Sequence, residues 1–269
     1  MKRPLFAAAL ALLIGLPLSA QAHKAWLMPS ATVLVPDEWI TVDAAVSNDL
    51  FYFNHVPLRI DALTVTGPDG ANVAVENLAT GKLRSTFDLH LVANGTYRIA
   101  VANAGLMASY DDGKGGKKRW RGNAETFAKE VPADAKNLEV NESSMRVETF
   151  VTAGKPSDGA LKGTGKGLEL VAVTHPNDLF AGEAAKFRFT IDGKPASGIK
   201  VQVIPGGSRY RDSQQEIKVT TDKDGQFSVT WPAPGMYWIE ASVQDDKATI
   251  APAKKRRVGY TATFEVLPQ

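Results

Sequence analysis

Apolar and polar residues alternate with a period of two over most of the chain. In Glu38–Val46, Ile40, Val42, Ala44 and Val46 fall on one face, with Thr41 and Asp43 on the other. Phe87, Leu89 and Leu91 alternate with Asp88 and His90, and Phe187, Phe189 and Ile191 repeat the pattern. So do Ile199/Val201/Val203, Phe227/Val229/Trp231, Tyr237/Ile239/Ala241/Val243 and Ala262/Phe264/Val266. A strand sends successive side chains to opposite faces, so this period predicts half-buried strands rather than helices. Turn signals separate the runs: Gly67-Pro68-Asp69-Gly70, Asn94-Gly95, Asp192-Gly193-Lys194-Pro195, Asp222-Lys223-Asp224-Gly225 and Pro234-Gly235. The 23 Gly and 15 Pro suit many short strands joined by tight turns. Helix is scarce; Asn123 is placed to cap a short one through Lys129. The fold class is all-β.

A weak internal repeat points to two immunoglobulin-like β-sandwich modules in tandem. Val35-Pro36-Asp37-Glu38 leads into an alternating strand, as Phe180-Ala181-Gly182-Glu183 does. Asn94-Gly95-Thr96-Tyr97 enters a strand, as Pro234-Gly235-Met236-Tyr237 does, and a Gly-x-Tyr at a strand entry is the turn-and-tyrosine device of immunoglobulin-like sandwiches. The Gly-rich stretch from Ala153 to Gly167 reads as the linker, with the break near residue 160. The modules are then residues 23–158, with an irregular insertion, and 168–269.

The first 22 residues read as a cleaved signal peptide. Lys2 and Arg3 are a basic start, Leu5–Leu16 an apolar run, and Ala20-Gln21-Ala22 a small-x-small cleavage site. The apolar run is shorter than the roughly 20 residues of a membrane span. The expectation is an exported, periplasmic protein without membrane insertion after cleavage. The formal net charge of +2 belongs to Lys2 and Arg3, so the remaining chain is neutral, which argues against a nucleic-acid partner. The chain contains no cysteine, which excludes disulfides, thiolate metal sites and a cysteine nucleophile.

Nitrogen donors are few and distinctive. Cleavage after Ala22 places His23 first, where its α-amine and Nδ1 can chelate one metal ion. Such ligands suit Cu(II), Ni(II), Co(II) or Zn(II), and a tight site needs a further donor. His55 lies in the aromatic loop Phe51-Tyr52-Phe53-Asn54-His55, which can reach the N-terminal edge of the sandwich. His90 shares a strand face with Asp88, and His175 precedes Pro176 in the second module. His23, His55 and His90 are the candidate metal ligands. Two basic runs, Lys114–Arg121 and Lys254–Arg257, read as solvated inter-strand loops. The chain has no Gly-x-Ser-x-Gly elbow, phosphate-binding loop or His-Glu-x-x-His motif.

Several segments together resemble the DUF4198 family, grouped with periplasmic components of cobalt and nickel uptake systems. They are His23-Lys24-Ala25-Trp26-Leu27-Met28-Pro29-Ser30 directly after the leader, and Met145–Val151 running through a Gly-rich stretch to Gly167-Leu168-Glu169-Leu170-Val171. Phe189–Val201, Thr221–Gly225 and Pro234–Tyr237 complete the likeness, which spans the chain after the leader. The resemblance implies a non-enzymatic protein that captures or hands over a divalent transition metal ion (Ni, Co or Cu), with a membrane metal transporter as a possible partner. Only His23 matches a family motif; His55 and His90 rest on ligand chemistry. Two other readings stay open: a copper monooxygenase built on a histidine brace, and a β-sandwich adaptor for a protein partner whose histidines are incidental.

Overall fold

The computed structural model describes residues 23–269; the expected signal peptide lies outside the described residues. The first half comprises β1 (Lys24–Pro29), β2 (Val33–Leu34), β3 (Glu38–Ser47), β4 (Val56–Pro57), β5 (Leu63–Thr66), β6 (Glu76–Thr80), β7 (Ser85–Leu91), β8 (Gly95–Asp111), β9 (Lys117–Gly122), α1 (Ala124–Glu130) and β10 (Glu139–Ala153). The second half comprises β11 (Leu168–Ala172), β12 (Ala184–Ile191), β13 (Lys194–Pro195), β14 (Lys200–Pro205), β15 (Ile217–Thr220), β16 (Gln226–Thr230), β17 (Gly235–Asp245) and β18 (Lys255–Val266). The helix is capped as its sequence predicts: the Asn123 side chain accepts from Thr126 N, and Thr126 Oγ1 accepts from Asn123 N.

These strands form three sheets, and the largest crosses both halves. It has nine strands, along the path β15-β14-β17-β18-β10-β8-β5, with β2 beside β10 and β9 beside β8. A five-stranded sheet (β1-β3-β7-β6, with β4 on β3) and a four-stranded sheet (β11-β12-β13, with β16 on β12) complete the fold. The join is the parallel pairing of β10 with β18, from Asn141↔Lys255 to Thr149↔Thr263. Strand alternation then sends the two cores to opposite faces of the shared sheet. Val147 and Val151 of β10 pack with Tyr97, Ile99, Ile40 and Phe87, whereas Phe150 packs with Phe187, Tyr260 and Phe264. The chain is thus two sandwiches sharing a sheet, each covering a different face. The expected repeat is present: Tyr97 Oη donates to Ala93 O at 2.9 Å, and Tyr237 Oη to Ala233 O at 2.8 Å.

The residues from Val147 to Ala153 are all buried, although Glu148, Thr149 and Thr152 are polar. Each finds partners, as burial requires. Glu148 accepts from Tyr260 Oη at 2.8 Å and from Arg146 Nη1 at 3.1 Å. Arg146 reaches Glu169 at 3.4 Å, and Glu169 takes the amides of Thr164 and Gly165. Thr149 donates to Thr263 O, and Thr152 to Asn177 Oδ1. His175 Nε2 lies 2.9 Å from Thr96 Oγ1, which also accepts from Ser157 N.

The Gly-rich stretch 153–167 is therefore bound along its length rather than free. Gly159 serves close approach, because a Cβ there would overlap the Pro68 carbonyl oxygen. The two basic runs also differ from expectation. Lys117–Gly122 is a strand paired with β8, and Lys255 opens β18.

Two outcomes follow from this junction. Glu148→Ala strips Arg146 and Tyr260 of a buried acceptor, and should lower stability by about 3–5 kcal/mol in urea unfolding at pH 7. Burial holds the His175 imidazole below its ordinary value, so the unfolded chain takes up its proton first on acidification. Its contribution is full above about pH 6.5 and is lost as pH falls through the folded-state value. Urea midpoints measured from pH 7.5 to 5 should therefore fall less steeply for His175→Gln than for the parent chain.

Candidate functional site

Two of the expected ligands meet. The rings of His23 and His55 stack, with centroids 3.8 Å apart and planes at 19°. The end of β3 brings them together. Lys24, next to His23, pairs with Ser47, and Val56, next to His55, pairs with Val46. The two histidines thus flank the last residues of β3 from either side.

The loop that carries His55 is anchored on Trp26. This fully buried indole donates to Ser47 Oγ at 2.8 Å, and Ser47 Oγ donates to Asp49 O at 2.6 Å. Phe51 and Phe53 pack on Trp26, each with its ring centroid 5.5 Å away. Phe51 takes a left-handed φ of 65° to do so. Asn54 closes the loop: its Oδ1 accepts from Asn48 N, and its Nδ2 donates to Asp49 Oδ2 at 2.8 Å. Arg84 covers the outer face of Phe53 at 4.5 Å. Trp26 also packs against Ile204 and Trp238 of the second half, and Trp238 Nε1 donates to Ala25 O at 2.8 Å. Sequence reasoning missed Trp26 as the positioning residue. Its signal was an aromatic three residues after His23, facing the unusual Phe-Tyr-Phe run.

Charged groups surround the base of this site. Burial lowers the Lys24 ammonium, while Glu240, Asp49 and Glu216 oppose that shift. Burial raises the Glu240 carboxyl, opposed by Arg257 and Lys24.

His90 stands apart from the pair. It lies opposite Trp39 on β3, eight residues from Ser47, which is about 27 Å at roughly 3.4 Å per residue. There it stacks on Trp39 at 4.4 Å and its Nε2 reaches Asp37 Oδ1 at 2.8 Å. The structure therefore places His90 outside the His23–His55 cluster, correcting the expected three-histidine set. His175 is held at the junction by Thr96 and the Asn177 amide.

Among the described residues, no group of three or more His, Asp or Glu side chains is placed to hold a metal ion. The imidazoles of His23 and His55 supply two donors. Nitrogens bound to one ion at about 2.0–2.1 Å stand roughly 3–4 Å apart, so rings in contact are close enough to converge by side-chain rotation. Cleavage after Ala22, as the sequence leads one to expect, would add the α-amine of His23 as a third nitrogen at the same point. That donor set fits a borderline transition metal such as Cu(II) or Ni(II).

No helix among the described residues is long and apolar enough to cross a membrane. No curated protein matches the chain. Three solved structures align at low identity. The D0-D1 domain of intimin is 15% identical, with 88% of this chain and 96% of that one covered, at a TM-score of 0.22. Trypsin-activated α-2-macroglobulin from Escherichia coli is 13% identical, with 90% and 16% covered, at a TM-score of 0.22. The Yersinia pseudotuberculosis adhesin InvE is 12% identical, with 89% and 58% covered, at a TM-score of 0.21. The model of the family described as a domain of unknown function, DUF4198, matches residues 20–245, and the chain belongs to that family.

Proposed function

We propose that the chain is a periplasmic transition-metal-binding protein that captures or hands over Ni, Co or Cu without catalysing a reaction. Its site is the α-amine and imidazole of His23 together with the imidazole of His55. The observation that carries this reading is the stacking of His23 on His55, two donors 32 residues apart held at one sheet edge. The site is completed by processing, because the amine exists only once the leader is removed. Three nitrogens bind Cu(II) most tightly by the Irving–Williams order, so metal supply rather than the donors would select the cargo. Delivery to a membrane transporter is the corresponding role.

The same donors also suit a copper monooxygenase with a histidine brace, and this second reading rests on the same stacked pair. The likeness to uptake components ranks capture first. Oxidation of a polysaccharide by the copper-loaded protein with a reductant would reverse that order.

Calorimetry on residues 23–269 should give one tight site per chain for Cu(II) or Ni(II). His23→Ala, His55→Ala and a chain beginning at Ala22 should each bind at least tenfold more weakly. Equal affinity of the Ala22-started chain would remove the amine from the site. His90→Ala should bind like the parent chain, given its distance along β3. Affinity should fall as pH falls, because protons compete for all three nitrogens.

A further inference from the structure

Alternate residues of two basic runs far apart in sequence lie on one sheet face. β9, β8, β10 and β18 are successive neighbours. Their registers place Arg121, Met107, Asn141 and Lys255 in a single row across the four strands. That row is about 14 Å wide at roughly 4.8 Å per strand. The next row on one side brings Arg119 beside Ser109 and Glu139. The row on the other side holds Ser143, Arg257 and Gln244. Lys117 extends the array beside Asp111.

This face is the continuation of the one that holds the first core, beyond the edge of the five-stranded sheet. Lys117, Arg119, Arg121, Lys255 and Arg257 are all exposed. On the opposite face of these four strands Leu106, Ala108, Tyr110, Glu142 and Arg256 are buried, while Trp120 of β9 is half-buried and Lys118 is exposed. None of the five cations forms an ion pair among the described residues, although Arg59, Arg84, Arg98, Arg146 and Arg256 all do. Arg121 has only the Met107 sulfur, at 3.6 Å. Two carboxylates lie within the array, and Glu240 follows on the same face four residues along β18 from Arg257. Asp111 is engaged by Asn137 Nδ2, and Glu139 lies across from Ser109.

We infer that this face docks on the surface of an anionic lipid bilayer. Its charges are unpaired, lie on long flexible stems and spread over a flat sheet, and Met107 is the large apolar side chain exposed among them. A flat array of mobile cations complements a flat array of anionic headgroups, whereas a protein partner would be gripped by apolar anchors in pockets. The attraction is local, because the chain after the leader carries equal numbers of basic and acidic residues.

Residues 23–269 hold the whole described fold and are the form to test, by sedimentation with vesicles of phosphatidylcholine containing about 30% phosphatidylglycerol. Binding should appear at low salt and vanish near 0.5 M salt and on pure phosphatidylcholine. Arg119→Glu/Arg121→Glu/Arg257→Glu should weaken it by about 100-fold or more, at about fivefold for each cation removed. A control with the same charge change elsewhere, Lys82→Glu/Lys186→Glu/Lys194→Glu, should retain most of the binding. Circular dichroism checks that both variants are folded. Equal losses in the two variants, or no binding of the parent chain to the anionic vesicles, would overturn the inference. Retention on an acidic polypeptide column without vesicle binding would overturn it in favour of a protein partner.

Discussion

The parallel pairing of β10 with β18 is the contact on which the rest of the molecule depends. It turns two sandwiches into one body, because the strand that closes the first core also borders the second. A strand buried on both faces is usually an unbroken apolar run. Here the run contains Glu148, Thr149 and Thr152, and the fold accommodates them with a network reaching Arg146, Tyr260, Glu169, Asn177 and the Thr96–His175 pair. Such a network is sensitive to the loss of any member, since a buried charge left without its partner costs more than the pair contributes. It also fixes register, because a slip of one residue would send Phe150 and Val151 to the wrong cores.

That rigidity reaches the histidine pair. Trp26 is held between the His55 loop and the second half, where Ile204 and Trp238 cover it. The Trp238 indole holds the Ala25 carbonyl, one residue from Lys24 and two from His23. The geometry of His23 and His55 therefore rests on the second sandwich as well as on the sheet edge that carries both residues. A donor pair built this way is presented by packed aromatic rings rather than by a free loop, which lowers the ordering cost of binding an ion.

Much of this was legible in the sequence where one physical rule dominated. Alternation identified the strands around Ile40, Phe87, Phe187 and Tyr237, and the Gly-x-Tyr entries located both tyrosine corners. The errors share a cause: partners distant in sequence decided the outcome. Lys117–Gly122 lacks apolar alternation because its outer face has no core to meet, and so it resembled a loop. The Gly-rich junction looked flexible, yet Gly159 is small because Pro68 lies against it. His23 and His55 stood out by chemistry, but nothing in their spacing revealed that β3 would set them side by side. His90 looked equivalent until the register placed it near the other end of the same strand.

Charge is arranged along the molecule in a way that a neutral total conceals. Glu240, Asp49 and Glu216 act on Lys24, next to His23. Arg257, which acts on Glu240 from the other side, begins the array that continues through Lys255, Arg121 and Arg119. Glu240 pairs with Thr261, four residues along β18 from Arg257, so the transition from carboxylates to cations occurs within about 14 Å. Glu240 and the cations lie on the same face of the shared sheet, which β1 crosses at β10 and β18. At a Debye length of about 8 Å, an ion at either end responds mainly to the nearer group. On the proposed readings, a divalent cation at the His23 edge and an anionic surface at the basic face would each meet its own group of charges, so that the two events need not compete.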